Sequence, residues 1–250
     1  MIRLTRLGIP DELNSRLAAL TQRVADRNDA DRLNGARQLW KHSAQRRNVH
    51  RPLTDVLRQM APGMERCMYC GDSQGTAIDH HEPMARNPLR TFDWLNHLLA
   101  CTYCNSHEKR DRFPLDRNGQ SLLIDPSAED PFDHLQLTLT LGVYRAKGGS
   151  PKGQTTIDVC GLNRPILTKG RMHAKDVVIA SLCLWQRGFE RSDGRQMDQA
   201  VRTIREQPFA DVCQAMLRQA GNPAAKLLFD DDHELLALLS RPELRKGLLR

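Results

Sequence analysis

The sequence predicts an α+β protein: a mostly helical chain that carries a cysteine-rich module and, after it, a small β element. Three observations lead there. Apolar residues recur at helical spacing towards both ends. That period vanishes between Glu65 and Pro114, where cysteines and histidines crowd together. Strict alternation of apolar and polar residues appears beyond residue 134. The length of 250 residues suits one or two domains with a real core. The expected division is a helical N-terminal arm over residues 1–64, the cysteine-rich module over 65–115, and a β element followed by a helical C-terminal region over 116–250.

Pro10-Asp11-Glu12 opens the first helix, with Leu13, Leu17, Leu20 and Val24 on one face. A second helical stretch runs from about Asn34 to Met60, with a break expected near Pro52. It carries Arg37, Lys41, Arg46, Arg47, Arg51 and Arg58, which read as a solvated face or as a nucleic-acid contact. Beyond the module, Leu122-Leu123-Ile124-Asp125-Pro126 reads as a short strand ending in a turn. Leu135, Leu137, Leu139 and Leu141 alternate with polar residues, as in a half-buried strand. Gly148 to Gly153 is a flexible turn, and Thr155 to Val159 is the expected partner strand. After Asn163-Arg164-Pro165 the chain is helical to its end. The apolar run from Asp176 to Arg187 predicts a buried helix, Pro208 divides the next stretch, and Phe209 to Gln219 resumes it. Leu235 to Leu239 sit on a last short helix that covers either the core or a partner.

Lys and Arg total 37 against 30 Asp and Glu, a net charge of +7, and 29 of the basic residues are Arg. Arg forks suit phosphate, so nucleic acid is one reading of this excess, and solvated helix faces are the other. Mean hydropathy is −0.56. No run approaches the ~18 apolar residues of a membrane span, and the first thirty residues lack a signal peptide's apolar stretch. Membrane proteins, secreted disulfide miniproteins and mostly disordered chains are excluded, and a cytoplasmic protein is expected.

Of seven cysteines, four form two Cys-x-x-Cys pairs, Cys67/Cys70 and Cys101/Cys104, with 30 residues between them. Two such knuckles brought together make the thiolate set of structural Zn²⁺. An odd cysteine count without an export signal argues against disulfides. Cys160, Cys183 and Cys213 lie in apolar surroundings, where core packing is the expected role.

What lies between the knuckles is more specific. Cys67-Met68-Tyr69-Cys70-Gly71 leads to Ala77-Ile78-Asp79-His80-His81-Glu82-Pro83. Trp94-Leu95-Asn96-His97-Leu98-Leu99, Ala100-Cys101-Thr102-Tyr103-Cys104-Asn105 and Lys109 follow. This order resembles the zinc-stapled HNH nuclease module, the ββα-metal fold. The resemblance implies His80 as general base, Asp79 and Asn105 as ligands of a catalytic Mg²⁺ or Mn²⁺, and Asn96 as the residue positioning the loop or the base. It also implies a hairpin from about Arg66 to Glu82, a helix from Asn105 to Arg112, and Cys67, Cys70, Cys101 and Cys104 on the structural zinc. The chemistry agrees: phosphodiester hydrolysis needs a base active near neutral pH, which His supplies, and a hard cation with oxygen ligands. Two departures stand out. Asn105 occupies a position that is often His, and one extra residue precedes Lys109, which leaves its phosphate-binding role open. His81, His97 and His107 read as flanking, packing or surface histidines.

Further on, Leu123-Ile124-Asp125-Pro126, Glu129-Asp130-Pro131-Phe132-Asp133-His134-Leu135, Thr156-Ile157 and Gly161-Leu162-Asn163-Arg164 resemble the region after HNH in Septu-type defence nucleases. These are HNH partners of an ABC-type ATPase in bacterial anti-phage systems. The kinship implies DNA as substrate and an ATPase as partner. A stand-alone restriction or mobile-element nuclease, and a non-catalytic zinc-stapled DNA-binding or scaffold protein, are the alternative readings.

Overall fold

The computed structural model describes residues 1–229 and 232–249. It is α+β, mostly helices with two small antiparallel two-stranded sheets. Helix α1, Asp11–Ala25, begins just after Pro10 and buries Leu13, Leu17, Leu20 and Val24, the face its spacing predicts. Helix α2, Asp29–Lys41, packs against it and buries Gly35, Ala36 and Leu39. The chain breaks at His42, whose ψ is 133°, ten residues ahead of the expected break at Pro52. Helicity resumes through a π-helical turn, Arg46–His50, into the helix Arg51–Met60. Pro52 lies in the first turn of that helix, where a missing N–H is tolerated.

Strand β1, Ala77–His80, pairs antiparallel with strand β2, His97–Ala100, so that Asp79 faces Leu98 and His80 faces His97 across the ladder. The hairpin is therefore not made within Arg66–Glu82, where an isolated bridge joins Arg66 to Gln74. Its second strand arrives only after the loop 81–96. Asn96 holds that loop: its side-chain oxygen accepts from the Glu82 N–H at 2.8 Å, and its amide donates to the carbonyls of Glu82 and Arg90, both at 3.0 Å. The helix expected from Asn105 to Arg112 is a π-helical segment, Tyr103–Lys109.

The C-terminal part departs from expectation more often. Strand β3, Leu135–Thr138, pairs with β4, Val143–Ala146, and not with Thr155–Val159, which belong to the helix Pro151–Val159. Ser150 caps that helix by accepting from the Gly153 N–H, and Pro151 takes its first turn; these are strong start signals that outweigh the β-branched Thr-Thr-Ile run. Leu122–Ile124 are not a strand, although Leu115 and Ser121 form an isolated bridge. The long helix Pro165–Glu190 buries Val178, Leu182 and Trp185 but leaves Val177 and Leu184 exposed, so one face is covered and not the whole run. Helices Gly194–Glu206 and Ala210–Gln219 are divided at Pro208, and Leu235, Leu238 and Leu239 of the helix His233–Ser240 face the core. Cys160 and Cys213 are buried as expected; Cys183 is exposed.

Two apolar clusters result. One joins α1, α2 and the helix Arg51–Met60 around Phe92; the other fills the rest of the molecule. Ile78 and Trp94 pack against both, which places β1 at their junction.

Candidate functional site

The two Cys-x-x-Cys knuckles flank the β1–β2 ladder. Cys67 and Cys70 precede β1, while Cys101 and Cys104 follow β2 directly, so strand pairing brings them to one end of the sheet. Gly71 closes the first knuckle with φ 71°, a conformation glycine adopts without strain, and its N–H bonds to the Cys67 carbonyl at 2.9 Å. The four Sγ atoms are buried and lie within 4.8 Å of one another. Four thiolates at about 2.3 Å from Zn²⁺ stand about 3.8 Å apart in a tetrahedron, and Cys70 and Cys101 are at 4.0 Å. The cluster is compatible with a zinc site. Arg164 adds a guanidinium 3.7 Å from Cys104 Sγ, which favours thiolate charge.

Asp79, His80 and Asn105 line one cleft, together with Arg37, Trp40 and Arg110. Each is placed by a different element. Asp79 and His80 end β1, Asn105 follows the last zinc-competent cysteine, and Arg37 and Trp40 stand at i, i+3 on α2.

His80 is nearly buried. Its Nε2 lies 3.0 Å from the Thr91 carbonyl oxygen, and a carbonyl only accepts, so Nε2 carries the proton and Nδ1 is the bare acceptor. Nδ1 makes no hydrogen bond to a described residue. Burial pushes the His80 pKa down to about 4, against the opposing effect of Asp79, so the ring is neutral at pH 7. Trp40 packs edge-on against it at 4.6 Å. His97 binds the same Thr91 carbonyl through its own Nε2 at 3.0 Å and stacks on Trp40, and burial holds its pKa well below the ordinary value.

Asp79 is almost fully buried. Its Oδ2 accepts from the Tyr69 hydroxyl at 2.6 Å, and its Oδ1 lies 3.2 Å from Lys109 Nζ. Lys109 also donates to the His80 carbonyl at 2.7 Å and has no exposed surface. The residue expected near phosphate is thus a buried strut between β1 and the π-helical segment. The extra residue before it is absorbed there: the Arg110 N–H bonds to the Asn105 carbonyl at 2.9 Å, an i→i+5 closure that takes one more residue per turn. Asn105 is half-buried, and its side-chain amide makes no hydrogen bond to a described residue.

Asn96 is fully buried and clamps the loop 81–96 rather than lining the cleft. His81 is buried against Phe113, and His107 stacks on Tyr103 at the surface. Sequence reasoning missed Tyr69, Thr91, Trp40 and Arg110. The i, i+3 spacing of Arg37 and Trp40 could have paired those two, but nothing in the chain showed which face of α2 meets β1.

No protein-family profile matches the chain. Two curated proteins are similar to part of it. Septu protein PtuB of Bacillus mycoides (strain KBAB4) is 34% identical over 99 residues, and Septu protein PtuB of Bacillus thuringiensis is 27% identical over 108 residues. These stretches take in 34% and 40% of this chain and 33% and 37% of those proteins. The chain thus matches a little over a third of the length of these relatives at most, and over about a third of its own length it is homologous to Septu protein PtuB.

Proposed function

We propose that the chain is a metal-dependent HNH endonuclease that hydrolyses DNA phosphodiester bonds, with β1, β2 and the segment Tyr103–Lys109 as its ββα-metal module. The observation that carries this reading is the convergence of His80, Asp79 and Asn105 on one cleft beside a cysteine cluster fit for zinc. A zinc ion on Cys67, Cys70, Cys101 and Cys104 would tie the entrance of β1 to the exit of β2 and so hold His80 and Asn105 in register.

The residues divide the work. His80, neutral and fixed by the Thr91 carbonyl, offers Nδ1 to take the proton of an attacking water. Asp79 and Asn105 offer oxygen donors of the kind a hard cation prefers: the Asn105 oxygen is uncommitted, and the Asp79 carboxylate keeps lone pairs beyond its bonds to Tyr69 and Lys109. Mg²⁺ or Mn²⁺ held there would supply positive charge opposite the leaving oxygen. Asn96 keeps the loop that carries Thr91 in place and thereby positions the base. In-line hydrolysis at such a site leaves a 5′-phosphate and a 3′-hydroxyl.

Homology to Septu protein PtuB supports an anti-phage defence role, in which this chain is the effector nuclease and an ABC-type ATPase its partner. The test is cleavage of supercoiled plasmid with Mg²⁺ or Mn²⁺, alone and with the candidate ATPase. Wild type is expected to cut and His80→Ala to lose at least a hundredfold in rate, the scale of a general base. A 3′-phosphate product, or equal cutting by His80→Ala, overturns the mechanism.

A further inference from the structure

From sequence alone the basic residues of the N-terminal arm read first as a solvated face and second as a nucleic-acid contact. Their placement distinguishes them. Arg37 is exposed, lines the cleft beside His80, and makes neither a hydrogen bond nor an ion pair with a described residue. Arg110 lines the same cleft from a different element, just after the π-helical segment. Its guanidinium contacts only the Ser106 carbonyl in its own segment, at 3.3 Å, and it has no carboxylate partner among the described residues. Its backbone sits at φ 50° and ψ −128°, a region an L residue adopts only under strain. The strain ends the π-helical segment at the lip of the cleft and aims a cation there.

A third arginine extends the line. Arg46 is exposed, without a carboxylate partner among the described residues, and close enough for its charge to act on His50. His50 packs on Trp40 at 4.3 Å, and Trp40 packs on His80. Arg46 opens the π-helical turn that ends at His50, so the chain of packing from His50 through Trp40 joins its turn to the cleft that Arg37 and Arg110 line. Arg32 pairs with Asp29, and Arg58 with Glu65 and Asp55, whereas Arg47 and Arg51 are exposed without an ion pair among the described residues but do not line the cleft. The carboxylates lining the cleft are Asp79, paired with Lys109, and Asp111, so the lining with Lys109 keeps a formal charge of +1.

We propose that Arg46, Arg37 and Arg110 form a cationic track that grips the sugar-phosphate backbone of a nucleic acid on both sides of the bond presented to His80. The cut strand then runs between the N-terminal arm and the segment Tyr103–Lys109, and the arm is part of the working surface. Three guanidiniums without carboxylate partners among the described residues, beside an aromatic ring, suit a linear polyanion, because each fork takes one phosphate. This rests on the nuclease reading for its position at His80 but not for its binding.

The test is fluorescence anisotropy of a short labelled DNA duplex with the full zinc-loaded chain in buffer free of Mg²⁺ and Mn²⁺, so that binding is read without cleavage. Wild type is compared with Arg37→Gln, Arg46→Gln and Arg110→Gln across a salt series. Arg195→Gln, on the helix Gly194–Glu206, is the control, and zinc content reports the fold. Each track variant is expected to bind more weakly and to reduce the slope of log affinity against log salt by about one, as one lost phosphate contact does. Arg195→Gln is expected to match wild type. An unchanged slope in the three track variants overturns the track and leaves the His80→Ala cleavage test intact, as does a wild type that binds no duplex. A reduced slope in a protein that never cleaves keeps the track and overturns the nuclease reading instead.

Discussion

Two buried aspartates sit in matching company on either side of the first cysteine knuckle: Tyr69 of that knuckle bonds Asp79, and Gly71 packs beside Asp211. Asp79 takes hydrogen bonds from Tyr69 and Lys109. Asp211 takes them from Tyr144, from the N-terminal ammonium of Met1 at 2.8 Å and from Arg171 at 3.3 Å. Both are nearly inaccessible to solvent. Burial pushes the Asp211 pKa up, but the ammonium and the guanidinium outweigh it and hold the carboxyl below its ordinary range. What separates the two is the neighbourhood. Asp211 is closed in by the core, and Arg171 donates through Nη1 to the carbonyls of Gly142 and Leu162. Asp79 borders an open cleft, next to a histidine with a bare nitrogen and an asparagine with a free amide. A buried charge network is a structural tie unless it meets a cavity and uncommitted donors.

The largest effect should come from the metal-competent end. Cys101→Ser is expected to abolish zinc binding and unfold the module, a loss of the order of 10 kcal/mol set against a typical domain stability of similar size. His80→Ala should stay folded and zinc-loaded. Zinc content with circular dichroism checks both, and full zinc retention in Cys101→Ser would refute the staple.

Asp211→Ala breaks the other tie. It leaves an ammonium and a guanidinium buried without their shared partner, which costs about 3–5 kcal/mol. Denaturant titration measures it. If the comparison holds, the surviving folded fraction keeps its nucleic-acid affinity, since no residue of this network lines the cleft.

Acid should weaken the cleft end through its histidines. His80, with its pKa near 4, binds its proton less readily when folded than in the unfolded chain near 6.5, so the unfolded state carries more protons in that window. Stability therefore rises with pH there and falls as pH drops from 6.5 towards 4, by about 3 kcal/mol from His80. His50, His81 and His97 are shifted down by burial as well and add in the same direction. Unfolding free energy measured across that range, in wild type and His80→Ala, isolates the His80 share. A flat profile in wild type would contradict the burial of these rings.

Much of the plan was legible in the chain. The apolar face of α1, the division at Pro208 and the alternating leucines of β3 follow from period and from proline chemistry, which act locally. The paired Cys-x-x-Cys motifs announced a four-cysteine cluster that could hold zinc, because ligand spacing is itself a local property. The errors were about partners. The β4 strand was displaced in expectation by Thr155–Val159, since strand pairing is non-local and helix caps at Ser150 and Pro151 decided the matter.

The sequence by itself determined the α+β character and the paired cysteines, which are written in residue type and short spacing, while its resemblance to the HNH module picked out Asp79, His80 and Asn105 as candidates. Only the tertiary structure decided that Lys109 turns inward to Asp79, that the Thr91 carbonyl selects the tautomer of His80, and that Arg37 and Trp40 come from a separate helix to the same cleft. Those outcomes depend on which faces of distant elements meet. Packing settles that by burying apolar area on one side of each element, and no short stretch of sequence records it.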